Sequence, residues 1–250
     1  MAVSIREDNK VCDNLLVKCY EVDAAQRLKP TSFMDMAQEM AYQAASAMRF
    51  GYAELISVNM AWVLSRMRFR FLEAPKWGDE VEIRTWHRGA FGPFFVRDFE
   101  VLGKDGERVI EATSSWVIID VDSRRMARPE EVLPKEDTSC PDYAIETPAG
   151  KVMMPRGIEP EYVTTHKVAY SDIDLVGHTN NARYVAWAMD CLEYGEHGVQ
   201  VNEVEIVFHH EARPGDEISL YRSEKDGWVY VEGRREDIPI FCAKLGNGSK

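Results

Sequence analysis

The sequence predicts an α+β fold of two tandem units, each a long helix wrapped by an antiparallel sheet. Three observations carry this. First, a strand–turn–strand pattern occurs twice: residues 67–82 read MRFRFLEAPKWGDEVE and residues 204–219 read VEIVFHHEARPGDEIS. The pairs Gly78-Asp79 and Gly215-Asp216 supply turn chemistry between extended runs. Second, a helical pattern precedes each copy. Third, further extended runs follow each copy, and a lone helix followed by a meander buries both apolar faces only if the sheet wraps the helix.

The elements follow in order. An extended run at residues 15–22 leads into residues 31–50, where Phe33, Met36, Ala37, Met40, Ala44 and Ala47 recur near the helical period. Strands are expected at 60–72, 79–89, 94–102 and 108–120. The second unit repeats the plan with a run at 162–170, a shorter helix at 181–194, and strands at 202–210, 217–224, 229–236 and 239–245. Residues 1–122 and 161–250 are therefore the two units. Between them, 123–160 is rich in proline and charge with weak periodicity, and reads as a long ordered connector carrying the chain from one sheet to the other.

Composition narrows the function. Of the 250 residues, 45% are hydrophobic, enough for a sizeable core, and 29% charged residues argue against disorder. A net charge of −12 without a long basic run makes nucleic acid an unsuitable partner. The five cysteines are scattered and form no CxxC, which fits reduced thiols. The N-terminus lacks a signal-peptide apolar region, and no apolar run approaches the ~20 residues that span a bilayer. A cytoplasmic location is expected, with a homodimer as an option beyond the internal pairing of units. No cofactor is expected, and no residues show zincin or zinc-finger spacing.

The densest chemistry lies in Tyr170-Ser171-Asp172-Ile173-Asp174-Leu175-Val176-Gly177-His178-Thr179-Asn180-Asn181. Two carboxylates, an imidazole and two carboxamides run directly into a helix. Asn180 or Asn181 is suited to the N-cap, and the remaining first-turn amides suit a developing oxyanion. Asp172 and Asp174 alternate along an extended stretch, so they face opposite ways, with Asp172 the structural one. Acyl chemistry at a helix N-terminus is the implied class. A Gly-x-Ser-x-Gly elbow is absent from the sequence, and Cys191 falls beyond the first turn of its helix, where core packing is its expected role.

Several further motifs, in order, resemble the acyl-acyl-carrier-protein thioesterases, the plant plastid enzymes and their bacterial relatives. They are Trp62-Val63-Leu64-Ser65-Arg66-Met67, Gly78-Asp79-Glu80-Val81-Glu82, Ala112-Thr113-Ser114-Ser115-Trp116, Asp122-Ser123-Arg124-Arg125, Ser171-Asp172-Ile173-Asp174, His178-Thr179-Asn180-Asn181 and Tyr184. The resemblance covers nearly the whole chain and implies a double hotdog fold. It places Asp174 and His178 on the family's catalytic Asp and His, and Glu211 on its downstream Glu. Val176 stands where the family has Asn, and Ala212 where plant members have Cys.

The implied activity is hydrolysis of fatty acyl-acyl-carrier-protein to free fatty acid, with acyl carrier protein as partner. Glu211 is the candidate base for water. His178 orients the water or the carbonyl, or shares the proton. Asp174 holds His178 in one tautomer, or binds the water or the Glu211 region. The resemblance also implies an acyl tunnel in the first unit, with Met36, Met40 and Trp62 as wall candidates among a run of methionines that includes Met34, Met48, Met60 and Met67. An acidic carrier needs a basic landing site: Arg66, Arg68 and Arg70 share one strand face, and Arg124, Arg125 and Arg128 form a second cluster, although solvated surface is the simpler role for both. Two other functions share these features: an acyl-CoA thioesterase and a non-catalytic acyl-binding protein.

Overall fold

The computed structural model describes residues 3–6, 8–128, 138–195 and 200–246. Its strands are β1 (Ser4–Ile5), β2 (Val11–Leu16), β3 (Met60–Phe71), β4 (Glu80–Phe91), β5 (Phe94–Leu102), β6 (Arg108–Asp120), β7 (Glu161–Lys167), β8 (Glu203–Phe208), β9 (Glu217–Lys225), β10 (Trp228–Arg235) and β11 (Ile238–Gly246). Its helices are α1 (Pro30–Ala47), α2 (Tyr52–Ile56) and α3 (Asn181–Asp190). The strands form one antiparallel sheet in the order β1-β2-β4-β5-β6-β3-β8-β11-β10-β9-β7. Once β2 to β6 are matched with β7 to β11, the order reads the same from either end. The architecture is a tandem hotdog, and its two halves share a sheet instead of owning one each.

The shared sheet is closed by β3 and β8, and side chains on both faces set their register. On the inner face Met67 pairs with Ile206 and Phe69 with Val204, all fully buried. On the outer face Arg68 lies opposite Glu205 and Arg70 opposite Glu203, and Arg68 reaches Glu203 at 2.6 Å and Glu205 at 3.3 Å. A one-residue slip would exchange the two faces, so apolar and ionic pairing select the same register. Arg70 also pairs with Glu111, and Arg66 lies 4.8 Å from the centre of the Phe94 ring. Two of the three arginines of the first stripe, Arg68 and Arg70, thus meet carboxylates within the sheet.

α1 starts at Pro30, whose fixed φ and missing N–H suit the first helical position. Phe33, Met34, Ala37, Met40, Ala41 and Ala44 are buried on it. Phe33 packs on Phe69 and Phe71 with ring centres 5.1 and 6.1 Å away. The helix stops short of residue 50, because Arg49 turns left-handed (φ 56°) and α2 begins after Gly51. The runs before the helices, expected at 15–22 and 162–170, also lie earlier in the chain than their sequence suggests. β2 and β7 end at Leu16 and Lys167, and 3₁₀ turns follow at Cys19–Glu21 and Tyr170–Asp172. Asp172 is therefore not on an extended stretch. It is buried, and it accepts from the Ala169 amide (2.8 Å) and bonds His166 Nε2 (2.9 Å), a structural role.

Part of the connector, residues 129–137, lies outside the described residues. Beyond it the chain crosses the sheet face opposite the helices. Trp86 donates to the Asp142 carbonyl (2.9 Å), the Ala144 amide donates to buried Asp98 (2.9 Å), and Val152 packs with Val207 and Cys242 of the second half.

Gly233, at the β10 bulge, shows how tightly the second half is packed. A Cβ there would fall 2.3 Å from Cε1 of fully buried Phe241 and 3.0 Å from Ile218. Gly233→Ala is expected to lower stability by about 1–3 kcal/mol through overpacking. A chemical denaturation midpoint unchanged from the parent would show that the Phe241 ring gives way freely.

Candidate active site

The loop before α3 is shaped by Asp174. Its amide donates to the His178 carbonyl (2.9 Å), and an Ile173–Thr179 bridge closes the loop. Gly177 takes φ +84° at its apex, a conformation side chains rarely adopt. Asp174 Oδ1 accepts from the Val176 amide (2.9 Å) and more weakly from the His178 amide (3.4 Å). The carboxylate thus holds the loop backbone that presents His178, and not the imidazole itself. The first unit repeats the device: Asp23 Oδ1 accepts from the Ala25 and Arg27 amides (both 2.9 Å), Val22 bridges Leu28, and Gln26 takes φ 64°. Arg27 stands there in the place of His178, so one of two equivalent loops carries an imidazole.

Asn180 is the N-cap of α3, its Oδ1 accepting from the Ala182 amide at 2.8 Å. The same oxygen accepts from Gln38 Nε2 (3.0 Å), while Asn181 Nδ2 donates to Gln38 Oε1 (3.1 Å). One glutamine of α1 therefore joins both carboxamides across the two halves, and Arg183 adds an ion pair to Asp35 at 2.7 Å. The cap leaves fewer amides for an oxyanion than the sequence suggests. Ala182 N is taken by Asn180 Oδ1 and Arg183 N by the Asn180 carbonyl (2.9 Å), while the Asn181 amide has no hydrogen-bond partner among the described residues.

Glu211 lies three residues past the end of β8 and not on the strand itself. The backbone next to it is gripped from α3 and the loop: the Ala212 carbonyl accepts from Thr179 N (3.1 Å) and Oγ1 (2.9 Å), and the Ala212 amide donates to the Tyr184 hydroxyl (3.0 Å). This places Glu211 Oε2 3.5 Å from His178 Nε2. That gap is longer than a good hydrogen bond, as is common at sites without substrate. Arg124 forks the carboxylate, with Nη1 to Oε1 at 3.1 Å and Nη2 to Oε2 at 3.2 Å. Sequence reasoning did not find this partner, which lies 87 residues away; Arg124 stood out there only as part of a basic cluster. Thr179 and Tyr184 were visible as motif residues, but not as clamps.

A cavity of about 840 Å³ joins these groups to an apolar interior. Arg124, Asp174, Val176, His178, Asn181, Tyr184 and Glu211 line it, together with Trp62, Leu64, Phe95, Trp116 and Ile119 from the first half-sheet. Trp62 is held by Phe50 (5.3 Å), Phe95 (4.9 Å) and Trp116 (6.4 Å), and its Nε1 donates to the Phe50 carbonyl. α1 contributes Gln38, Ala41, Tyr42 and Ala45, and its C-cap contributes Met48. Met40 is instead buried in the core and Met36 packs partly buried against it, so neither is on the cavity wall. The reason is helical: the wall residues form the stripe next to the one that carries Phe33, Ala37, Met40 and Ala44. Asn180 is also off the wall.

Cys191 is buried, its Sγ donates to the Trp187 carbonyl (3.3 Å), and burial pushes its thiol up to about 11, which suits packing and not nucleophilic attack. Among the described residues no group of three His, Cys, Asp or Glu side chains has the geometry to hold a metal, and no helix is long and apolar enough to cross a membrane.

Comparison with known proteins agrees with this architecture. The family description "Acyl-ACP thioesterase N-terminal domain" matches residues 8–135, and "Acyl-ACP thioesterase C-terminal domain" matches residues 157–237. A chloroplastic palmitoyl-acyl carrier protein thioesterase of Gossypium hirsutum is 28% identical over 188 residues, covering 71% of this chain and 46% of that protein. A chloroplastic oleoyl-acyl carrier protein thioesterase of Arabidopsis thaliana is 26% identical, covering 78% of this chain and 58% of its own length. The chain thus spans about half the length of the curated relatives it matches. The crystal structure of an acyl-ACP thioesterase from Bacteroides thetaiotaomicron superposes with a TM-score of 0.79 at 26% identity, covering 95% of this chain and 97% of that one. The 12:0-ACP thioesterase from Umbellularia californica shares the fold, with a TM-score of 0.84 at 19% identity and coverage of 95% and 96%. With a family model spanning more than half its residues, this chain belongs to the acyl-ACP thioesterase family.

Proposed function

We propose that this chain hydrolyses the thioester of a fatty acyl chain carried on acyl carrier protein, releasing the free acid and the carrier thiol. One observation carries the reading: the His178–Glu211 pair and the apolar walls of the first unit line the same cavity. The first unit then receives the acyl chain, and the second supplies the chemistry. Water between His178 and Glu211 gives up a proton to the Glu211 carboxylate as its oxygen bonds the carbonyl carbon. Arg124 fixes the orientation of that carboxylate, and His178 orients the water. The Asn181 amide, at the positive end of α3, faces the developing oxyanion. Collapse of the tetrahedral intermediate breaks the C–S bond, and the thiolate takes up the proton. Asp174 is a positioning residue here, acting through the loop that carries His178.

The test is thiol release from acyl-carrier-protein and acyl-CoA thioesters of matched chains. Release is expected from both, faster from the carrier protein. Equal rates would assign the chain to CoA thioesters, and binding of acyl carrier protein without release from either would assign it a non-catalytic role.

Val176 bears on the same site. Its amide serves the Asp174 turn, and its side chain lines the cavity without a polar group. Val176→Asn keeps the backbone bond and adds a donor and an acceptor. Turnover is expected to rise or to stay level, because base, orienter and oxyanion donor are already in place. A loss above ~10-fold in a folded variant would show that an apolar side chain is required there.

A further inference from the structure

The cavity wall contains a half-buried cation that has no counter-ion among the described residues. Arg97 lies mid-way along β5, cross-strand from His87 on one side and Ser114 on the other. Its strand neighbours on the same face are Phe95 and Phe99, both buried. Arg97 lines the cavity, and among the described residues its side chain donates once, from Nη1 to Thr85 Oγ1 at 3.2 Å. Among the described residues no carboxylate stands within ion-pair distance. Arg68 and Arg70 on β3, Arg84 and Arg88 on β4, and Arg108 on β6 each meet one. Burial alone pulls Arg97 down to about 10, with no nearby charge acting on it.

A guanidinium has five N–H donors, and covering those not already bonded with apolar groups, so that water is displaced and no acceptor replaces it, is costly. An unsubstituted alkyl chain would lay methylene groups against those donors. An oxygen on the chain would accept from them, and a carboxylate would pair with the fork on two bonds. β5 is separated from β8, which leads to Glu211, by β6 and β3. Three strand spacings put Arg97 roughly 14 Å from that strand, so the matching oxygen belongs far from the thioester.

We propose that the cavity selects acyl chains oxygenated at or near the distal end, the oxygen accepting from Arg97, with carboxylate favoured over hydroxyl and hydroxyl over plain alkyl. This rests on the thioesterase reading for its reaction, but not for its binding chemistry.

The experiment compares carrier-protein thioesters of matched length ending in methyl, hydroxymethyl or carboxylate, on the parent and on Arg97→Met. At the best-fitting length the parent is expected to prefer an oxygenated chain in kcat/KM by ~10–100-fold. Arg97→Met is expected to abolish that preference, read within each protein as the ratio of kcat/KM for oxygenated over methyl-ended chains. Arg97→Lys, which keeps charge but not the fork, is expected to retain only part of it, and it carries the comparison should Arg97→Met not fold. A parent that favours methyl-ended chains at every length overturns the proposal, as does a preference for oxygen that survives both substitutions. If no thioester releases thiol, the thioesterase reading fails on its own. Calorimetric titration of the matching free acids then decides Arg97: tighter binding of the dicarboxylic acid to the parent than to Arg97→Met upholds it, and equal binding overturns it.

Discussion

Glu211→Gln is expected to reduce thiol release by at least ~10²-fold with the fold intact. The substitution keeps the shape of the side chain and removes the proton acceptor. Structure supports the choice. Glu211 lines the cavity, is about one-third exposed at 33%, and is aimed by the Arg124 fork at 3.1 and 3.2 Å. The clamps on Ala212 from Thr179 and Tyr184 are backbone contacts, so the substitution leaves them in place. Loss of the carboxylate charge removes one ion pair to Arg124 in a partly exposed setting, which is worth little to stability. A folded Glu211→Gln variant with near-parental turnover would remove Glu211 from the mechanism.

His178→Ala is expected to cost a similar ~10²-fold, and the pair of changes is the sharper measurement. If His178 and Glu211 handle one water together, the double variant should be little slower than either single variant, because residues acting as a unit are non-additive. Multiplied losses, about 10⁴-fold, would mean that the two act in separate steps. The separation of 3.5 Å between Nε2 and Oε2 leaves room for the pair to tighten on a bound water, which a stopped reaction with a slow substrate could capture crystallographically. Asp174→Asn tests the positioning role: the side-chain oxygen that accepts from the Val176 and His178 amides is retained, so a modest fall is expected compared with His178→Ala.

Much of the fold was legible because its signals are short-range. The extended runs at 94–102 and 108–120 coincide with β5 and β6, since alternation and Gly-Asp turns act over a few residues. The shared sheet was less legible. Strand pairing between β3 and β8 joins residues that are far apart in sequence, and only the side chains on both faces together select that register. The 3₁₀ turn at Tyr170–Asp172 was hidden by a run of residues that would equally suit a strand, and with it went the argument from alternation for Asp172 and Asp174.

At the site the division follows the same physics. The sequence by itself determined the chemical groups on offer: an imidazole on a glycine-bearing loop, an Asn cap on a following helix, and a carboxylate downstream. Local rules suffice for these, since Asp174, Gly177, His178 and Asn180 lie within seven residues and their backbone bonds are mutual. Tertiary structure alone decided how the groups meet. It brought Arg124 to Glu211 across 87 residues, joined Asn180 and Asn181 to Gln38 on the other unit's helix, and turned Met48 instead of Met40 to the cavity. It also left Arg97 on the wall with no counter-charge among the described residues, because which of two strand faces is lined by carboxylates depends on what packs against each face, and a single strand's alternation does not contain that information.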